Sequence, residues 1–310
     1  MRWLRWMVLG TSLMVLACQA EKKGRPQVLV SPKGLTQNFW LKVKAGADAA
    51  ARDLQVDVIW KGPQSELEIA AQIAMVEDNI NKKVDAIVLA ACDTRGLIPS
   101  IEKALAAGIP VVTIDSGVES DLPASFIATD NVLGAAMAAD KLAALVGASG
   151  KVACVPIVPG AATSIMREQG FRDALAKYPG LQLVAVQYSQ SEVATAMAVT
   201  ENFLTANPDL AGIFAASEAG AIGCAQALIS RGLVGKVKLV GFDASPDQVK
   251  LLKAGVIHAL IVQNPYQMGY QGVQAAVTLI KGGQVEKRID TGVTIVTLEN
   301  VDTPEVQKLL

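Results

Sequence analysis

The sequence holds a single histidine, few aromatic residues (5%) and no excess of either charge, with 28 Lys and Arg against 29 Asp and Glu. Each shortage excludes something. Balanced charge without a basic stripe argues against a nucleic-acid surface. The lone His258 lies in the alternating run Val256–Val262 and reads as a residue of a strand rather than as a general base. No metal-ligand spacing, phosphate loop or G-x-S-x-G elbow occurs. The turn Ser31–Thr36, after the first apolar run, lacks the glycine fingerprint of a dinucleotide site. Polar low-complexity tracts and long charge runs are missing too, which argues against disorder. Beyond the N-terminal segment the cysteines are Cys92, Cys154 and Cys224, an odd set without C-x-x-C spacing, each among small apolar residues. Buried free thiols are expected there, not a disulfide framework or a metal site. The reading is of a protein that is not an enzyme and needs no cofactor.

What is present is a chain of 310 residues, 51% hydrophobic, long enough for two domains and a large core. At its start, Arg2 and Arg5 precede the apolar run Met7–Leu16, which is too short to span a bilayer. The run ends in Leu16-Ala17-Cys18 with polar residues following at once. That ending resembles the lipobox of bacterial lipoproteins. It implies a signal peptide at 1–17, Cys18 as lipid acceptor, a tether over 18–26, and attachment to a membrane through the anchor. The location is then the periplasm or the outer face of the cell membrane. An ordinary signal peptide with an incidental cysteine would still mean export.

From Gln27 onward, strand and helix patterns alternate. Gln27–Ser31 predicts a buried strand and Gln37–Asp53 a helix, separated by a Pro-Lys-Gly turn. Phe39 and Trp40 point about 100° apart on that helix, so one face cannot bury both; one serves the core and the other is free to line a crevice, although two core aromatics remain an equally ordinary reading. Further strands are expected at Val56–Trp60, Ala86–Ala90, Pro110–Ile114 and Ser125–Thr129, with helices on the Ile69–Ile80 face and over Thr94–Ala107. The pattern then restarts. Helices are predicted over Asn131–Val146, Thr163–Lys177, Glu192–Ala206 and Ser217–Arg231, with strands at Lys151–Val158, Leu181–Tyr188, Leu210–Ala215, Val237–Gly241 and Ile257–Val262. A last helix, Pro265–Ile280, carries an apolar face suited to a return to the first half. The fold class is α/β, with two doubly wound parallel-sheet lobes.

The order and spacing of several short segments resemble the type I periplasmic sugar-binding proteins that feed ABC importers. These are Phe39-Trp40, Gly108-Ile109-Pro110 leading to Asp115, Ile127-Ala128-Thr129-Asp130-Asn131, Arg167 through Phe171, Asn207-Pro208-Asp209, Val240-Gly241-Phe242-Asp243, and Gln263 with Met268-Gly269. The resemblance implies lobes joined by a three-segment hinge near Thr129-Asp130, Val262-Gln263 and Thr291-Gly292. The N-terminal lobe would hold 27–129 plus 263–291, and the C-terminal lobe 130–262 plus 292–310. It also implies a neutral monosaccharide or polyol between the lobes, ABC permease subunits as partners, and a monomer.

The family's ligand positions map onto Phe39, Trp40, Asp115, Arg167, Ser217, Asp243 and Gln263. The chemistry agrees, since sugar hydroxyls donate and accept and their C–H faces stack on rings. Ser116 stands where ribose binders carry arginine, Ser217 replaces the usual asparagine, and the loop Tyr188–Ser191 lacks a wall phenylalanine. Pro32-Lys33-Gly34 resembles instead the binders of the furanosyl autoinducer-2, which would make Lys33 a ligand contact. Asp115 and Asp243 against Arg167 and Lys33 predict a neutral cleft. A furanose binder of the autoinducer-2 kind, or a sensor without transport, is the alternative; a sugar-responsive repressor is excluded by the export signal in place of a helix-turn-helix.

Overall fold

The computed structural model describes residues 24–310. The expected signal peptide and Cys18 lie outside the described residues.

The first half runs β1 (Gln27–Ser31), α1 (Asn38–Leu54), β2 (Asp57–Trp60), α2 (Ile69–Asn81), β3 (Ala86–Leu89), α3 (Ile98–Ala106), β4 (Val111–Ile114) and β5 (Phe126–Ala128). The second runs α4 (Asn131–Val146), β6 (Gly150–Val155), α5 (Ala162–Leu175), β7 (Leu181–Val186), α6 (Val193–Ala206), β8 (Leu210–Ala215), α7 (Glu218–Ser230), β9 (Lys238–Phe242), α8 (Pro246–Lys253) and β10 (Ala259–Gln263). The chain closes with α9 (Pro265–Ile280), β11 (Arg288–Asp290), β12 (Val293–Val296) and α10 (Pro304–Gln307).

Two six-stranded sheets result, ordered β11-β5-β4-β3-β1-β2 and β12-β10-β9-β8-β6-β7. Central strands such as β3 and β4 are buried along their whole length, because helices cover both faces. The expected two-lobed α/β fold is what forms, with one exception to the parallel pattern: β12 pairs antiparallel with β10. In each sheet the strand order reverses beside the first strand of its half, between β1 and β3 and between β6 and β8. Ligands of open α/β sheets bind outside the carboxyl ends at such switch points.

The chain passes between the sheets three times, after β5, after β10 and between β11 and β12. The first and third passages touch, since Thr129 Oγ1 donates to the Gly292 carbonyl at 3.2 Å. Gly292 adopts φ of 80°, a left-handed backbone that suits glycine. Helix α9 returns to the first sheet and packs on α1 so closely that a methyl at Gly269 would meet the Val43 carbonyl.

Where the elements differ from the sequence expectation, local bonding is the reason. Helix α3 begins at Ile98 rather than Thr94, because Asp93 Oδ1 accepts from the backbone N–H of Arg95 (2.9 Å) and of Gly96 (2.7 Å), holding a turn there. His258 lies immediately before β10 rather than within it; its backbone N–H donates to the Leu239 carbonyl of β9 at 2.8 Å, and its Nδ1 accepts from Leu239 N–H at 3.3 Å. Burial lowers its pKa. Gln263 ends β10 instead of following it. Helix α8, capped by a reciprocal Ser245–Gln248 box, was not anticipated, nor were the short elements β11, β12 and α10. Cys92, Cys154 and Cys224 are free and buried, and burial pushes the Cys92 and Cys224 thiols up to about 12.

Candidate functional site

Asp115 follows β4 and Asp243 follows β9, one in each half, and both take left-handed backbone, with φ of 56° and 74°. Non-glycine residues adopt this conformation at a cost. The same pairing holds each in place: Asp115 N–H donates to Ile127 O on the next strand and Asp243 N–H to Ile261 O. Both carboxylates are buried and line one crevice.

On the side of the second sheet the charged groups are well paired, although Gln263 Oε1 has no donor among the described residues. Arg167, on the buried face of α5, donates through Nε to Asn131 Oδ1 and through Nη1 to the Ala216 carbonyl, each at 2.8 Å. Its guanidinium lies 3.7 Å above the Phe242 ring. Asp243 accepts from Gln263 Nε2 at 2.7 Å and from Glu218 N–H at 3.2 Å. Burial raises the Asp243 pKa against the pull of Arg167 and Gln263, and burial lowers that of Arg167 against the pull of Asp243. Ser217 caps α7, its Oγ accepting from Gly220 N–H at 3.2 Å.

The side of the first sheet is built differently. Lys33, in the turn after β1, donates to Thr163 Oγ1 of α5 at 3.1 Å. Its ammonium lies 3.2 Å from Asp115 Oδ2 and 3.6 Å from Glu66 Oε2. Burial alone would lower the Lys33 pKa, but the two carboxylates more than offset it and hold it above its ordinary value. Neither of those carboxylate oxygens has a hydrogen-bond donor among the described residues. Trp40 is 2% exposed and Phe39 half-buried; the rings meet edge to face at 4.9 Å, and both border the crevice.

Glu218 closes the crevice across the two halves. Helix α1 has no side-chain cap of its own and no acid in its first turn. Glu218, from α7, accepts from Phe39 N–H at 3.3 Å and from Asn38 Nδ2 at 3.0 Å. It therefore supplies the anion that a helix N-terminus attracts.

The structure thus gathers Lys33, Phe39, Trp40, Asp115, Arg167, Ser217, Asp243 and Gln263 around a single space. The expectation of a neutral lining is corrected. Glu66 and Glu218 join Asp115 and Asp243 there, four carboxylates against the cations of Lys33 and Arg167. Sequence reasoning missed Glu66, Gln37 and Thr163, and it passed over Asn131 as a support for Arg167. Thr163 was findable, one helical turn before Arg167; Glu66 sits in an irregular loop without periodicity. A roomier groove beside Phe126 and Ile165 is mostly apolar, and its Lys287 and Arg288 donate to backbone carbonyls.

Residues 28–284 match the family described as periplasmic binding protein domain. The chain is 30% identical over 300 residues to the D-ribose/D-allose-binding protein of Pseudomonas aeruginosa, covering 94% of this chain and 93% of that one. It is 31% identical to the ribose import binding protein of Bacillus subtilis, over 86% of each. Among solved structures, an ABC transporter solute binding protein from Agrobacterium vitis with bound D-fucose is 42% identical, with a TM-score of 0.89, covering 92% of this chain and 99% of that one. A carbohydrate transporter solute binding protein from Agrobacterium radiobacter in complex with D-arabinose is 36% identical, with a TM-score of 0.90, covering 93% and 99%.

Proposed function

This chain belongs to the periplasmic binding protein family, and from that premise we propose that it is the extracytoplasmic solute-binding protein of a sugar ABC importer. It takes a neutral monosaccharide or polyol into the crevice and delivers it to the permease; it performs no chemistry on the ligand. The observation that carries this reading is the convergence, from both sheets, of buried carboxylates, a guanidinium, an ammonium and two aromatic rings on one small space. Hydroxyls answer such a lining with paired bonds, and ring C–H faces answer the aromatics. The surplus of carboxylates disfavours acidic or phosphorylated sugars, since burying like charges is costly.

The lobes of this reading comprise 27–129 plus 263–291 and 130–262 plus 292–310, and they close about the three passages between the sheets. The protein acts as a monomer, held at the membrane through a lipid on Cys18. No helix among the described residues is long and apolar enough to cross a membrane.

Calorimetry of the mature protein against D-ribose, D-allose, D-arabinose, D-fucose, a set of polyols and autoinducer-2 tests the ligand class. Micromolar binding of a neutral sugar, about 8 kcal/mol, is expected; saturation by none of them overturns the reading. Membrane fractionation of wild type and Cys18→Ser tests the anchor, and equal solubility of the two without detergent would remove it.

A further inference from the structure

The loop between β2 and α2 turns its polarity inside out. Leu67 is 50% exposed, whereas its neighbour Glu66 is 7% exposed and faces the crevice. Burying a carboxylate while leaving the adjacent leucine in water costs free energy at both positions. A purely structural loop would reverse them.

Among the described residues no hydrogen bond to Oε2 repays that cost. The cation paired with Glu66 is Lys33, 3.6 Å from Oε2 and shared with Asp115 at 3.2 Å. Lys33 already gives one proton to Thr163 Oγ1. Oε2 of Glu66 and Oδ2 of Asp115 have no donor among the described residues, although both are cut off from solvent. Two acceptors therefore flank one ammonium at the wall of the crevice. A hydroxyl placed between them can donate to a carboxylate and accept from Lys33 at once, the paired bonding that a single sugar O–H provides.

Resting on the sugar-binding reading above, we propose that Glu66 is a ligand-binding residue that selects a particular hydroxyl of the sugar, working with Lys33 and Asp115. Glu66 is not a support for the loop. Its carboxylate meets the ligand, and the sugar lacking the hydroxyl it accepts from is discriminated against.

The test uses D-fucose, D-arabinose, D-allose and D-ribose as probes, then monodeoxy analogues of whichever binds wild type most tightly, measured by calorimetry on wild type, Glu66→Ala and Glu66→Gln. A hydrogen bond to a charged group implies a loss of about ten- to a hundredfold in Glu66→Ala. One deoxy analogue should bind wild type weakly by a similar factor yet bind Glu66→Ala no worse than the parent sugar does. The unliganded melting temperature should stay level or rise, because a buried charge is removed; Glu66→Gln keeps the side-chain volume and guards against a collapsed loop. Affinity within twofold of wild type in both variants overturns the proposal. So does an equal loss for every deoxy analogue in wild type and variant, which would mean that Glu66 acts only by holding Lys33. If wild type binds none of the four sugars, the sugar-binding reading fails first, and this inference with it.

Discussion

The two ends of the crevice are each built around an aspartate in left-handed backbone at the carboxyl end of a strand, yet they are finished in opposite ways. At the Asp243 end the charged groups are held on several sides: Gln263 and the Glu218 N–H hold the carboxylate, while Asn131, the Ala216 carbonyl and the Phe242 ring hold Arg167, and the open acceptor there is the neutral Gln263 Oε1. At the Asp115 end a single buried lysine stands between two carboxylates whose inner oxygens lack donors among the described residues. A rigid, pre-arranged end loses little freedom when a ligand arrives. An end with acceptors left open is completed by the ligand itself. The first should supply affinity, and the second should supply discrimination.

The largest effect should come from breaking the rigid end. Asp243→Ala removes the acceptor facing Arg167 and should weaken sugar binding at least ten- to a hundredfold, since bonds to charged groups contribute about 1.5–3 kcal/mol. Arg167→Met should do as much, and it should also lower stability in denaturant titrations by about 1–3 kcal/mol for each buried acceptor it strands. If either leaves affinity unchanged while lowering the melting temperature, that end is structural.

Lys33→Met should give a different signature at the other end. In wild type the raised Lys33 pKa means that its ion cluster stabilises fully below the ordinary lysine value and loses that contribution as pH rises through the raised one. Without the ammonium, Glu66 and Asp115 lose the cation between them. The variant should be less stable than wild type at pH 7, and the gap should narrow as pH rises through the raised Lys33 value, measured by thermal melts. A gap that does not narrow with pH would show that the cluster does not depend on the Lys33 charge.

Glu218→Gln joins the two ends, because Glu218 touches Asp243 through its backbone and caps α1 with its side chain. A helix cap is worth about 0.5–2 kcal/mol, and here it is made only when the halves are together. The variant should bind sugar a few-fold to about thirtyfold more weakly. It should also show less ligand-induced compaction by small-angle scattering. Unaltered compaction would assign closure to the ligand alone.

The smallest effect is optical. Trp40 borders the Lys33 end, 5.8 Å from the ammonium, whereas Trp60 ends β2 and packs into the core of the first half. Ligand should change tryptophan emission in Trp60→Phe and not in Trp40→Phe. A signal that follows Trp60 would place the ligand away from α1.

The fold was legible in the sequence because parallel strands covered on both faces leave unbroken apolar runs, and the helices between them carry apolar residues at helical spacing. Helix α4 (Asn131–Val146), β8 (Leu210–Ala215) and α9 (Pro265–Ile280) begin and end where periodicity, Asp130 and the proline at the start of α9 indicate. Short elements such as α8 and β11 escaped because a few polar-rich residues carry no period. Asp115 and Asp243 could be placed from chain order, since a residue just past a parallel strand must emerge at the carboxyl edge of the sheet, whereas Arg167 lies inside α5 and was picked out by the family resemblance. Tertiary structure alone decided the rest. Whether Glu66 turns inward, whether Glu218 reaches α1 from the other half, and whether the lining is neutral all depend on loops and on the approach of two sheets. Those contacts join residues far apart in the chain, such as Glu218 and Phe39, and no local pattern encodes a distance between surfaces that meet only after each has folded.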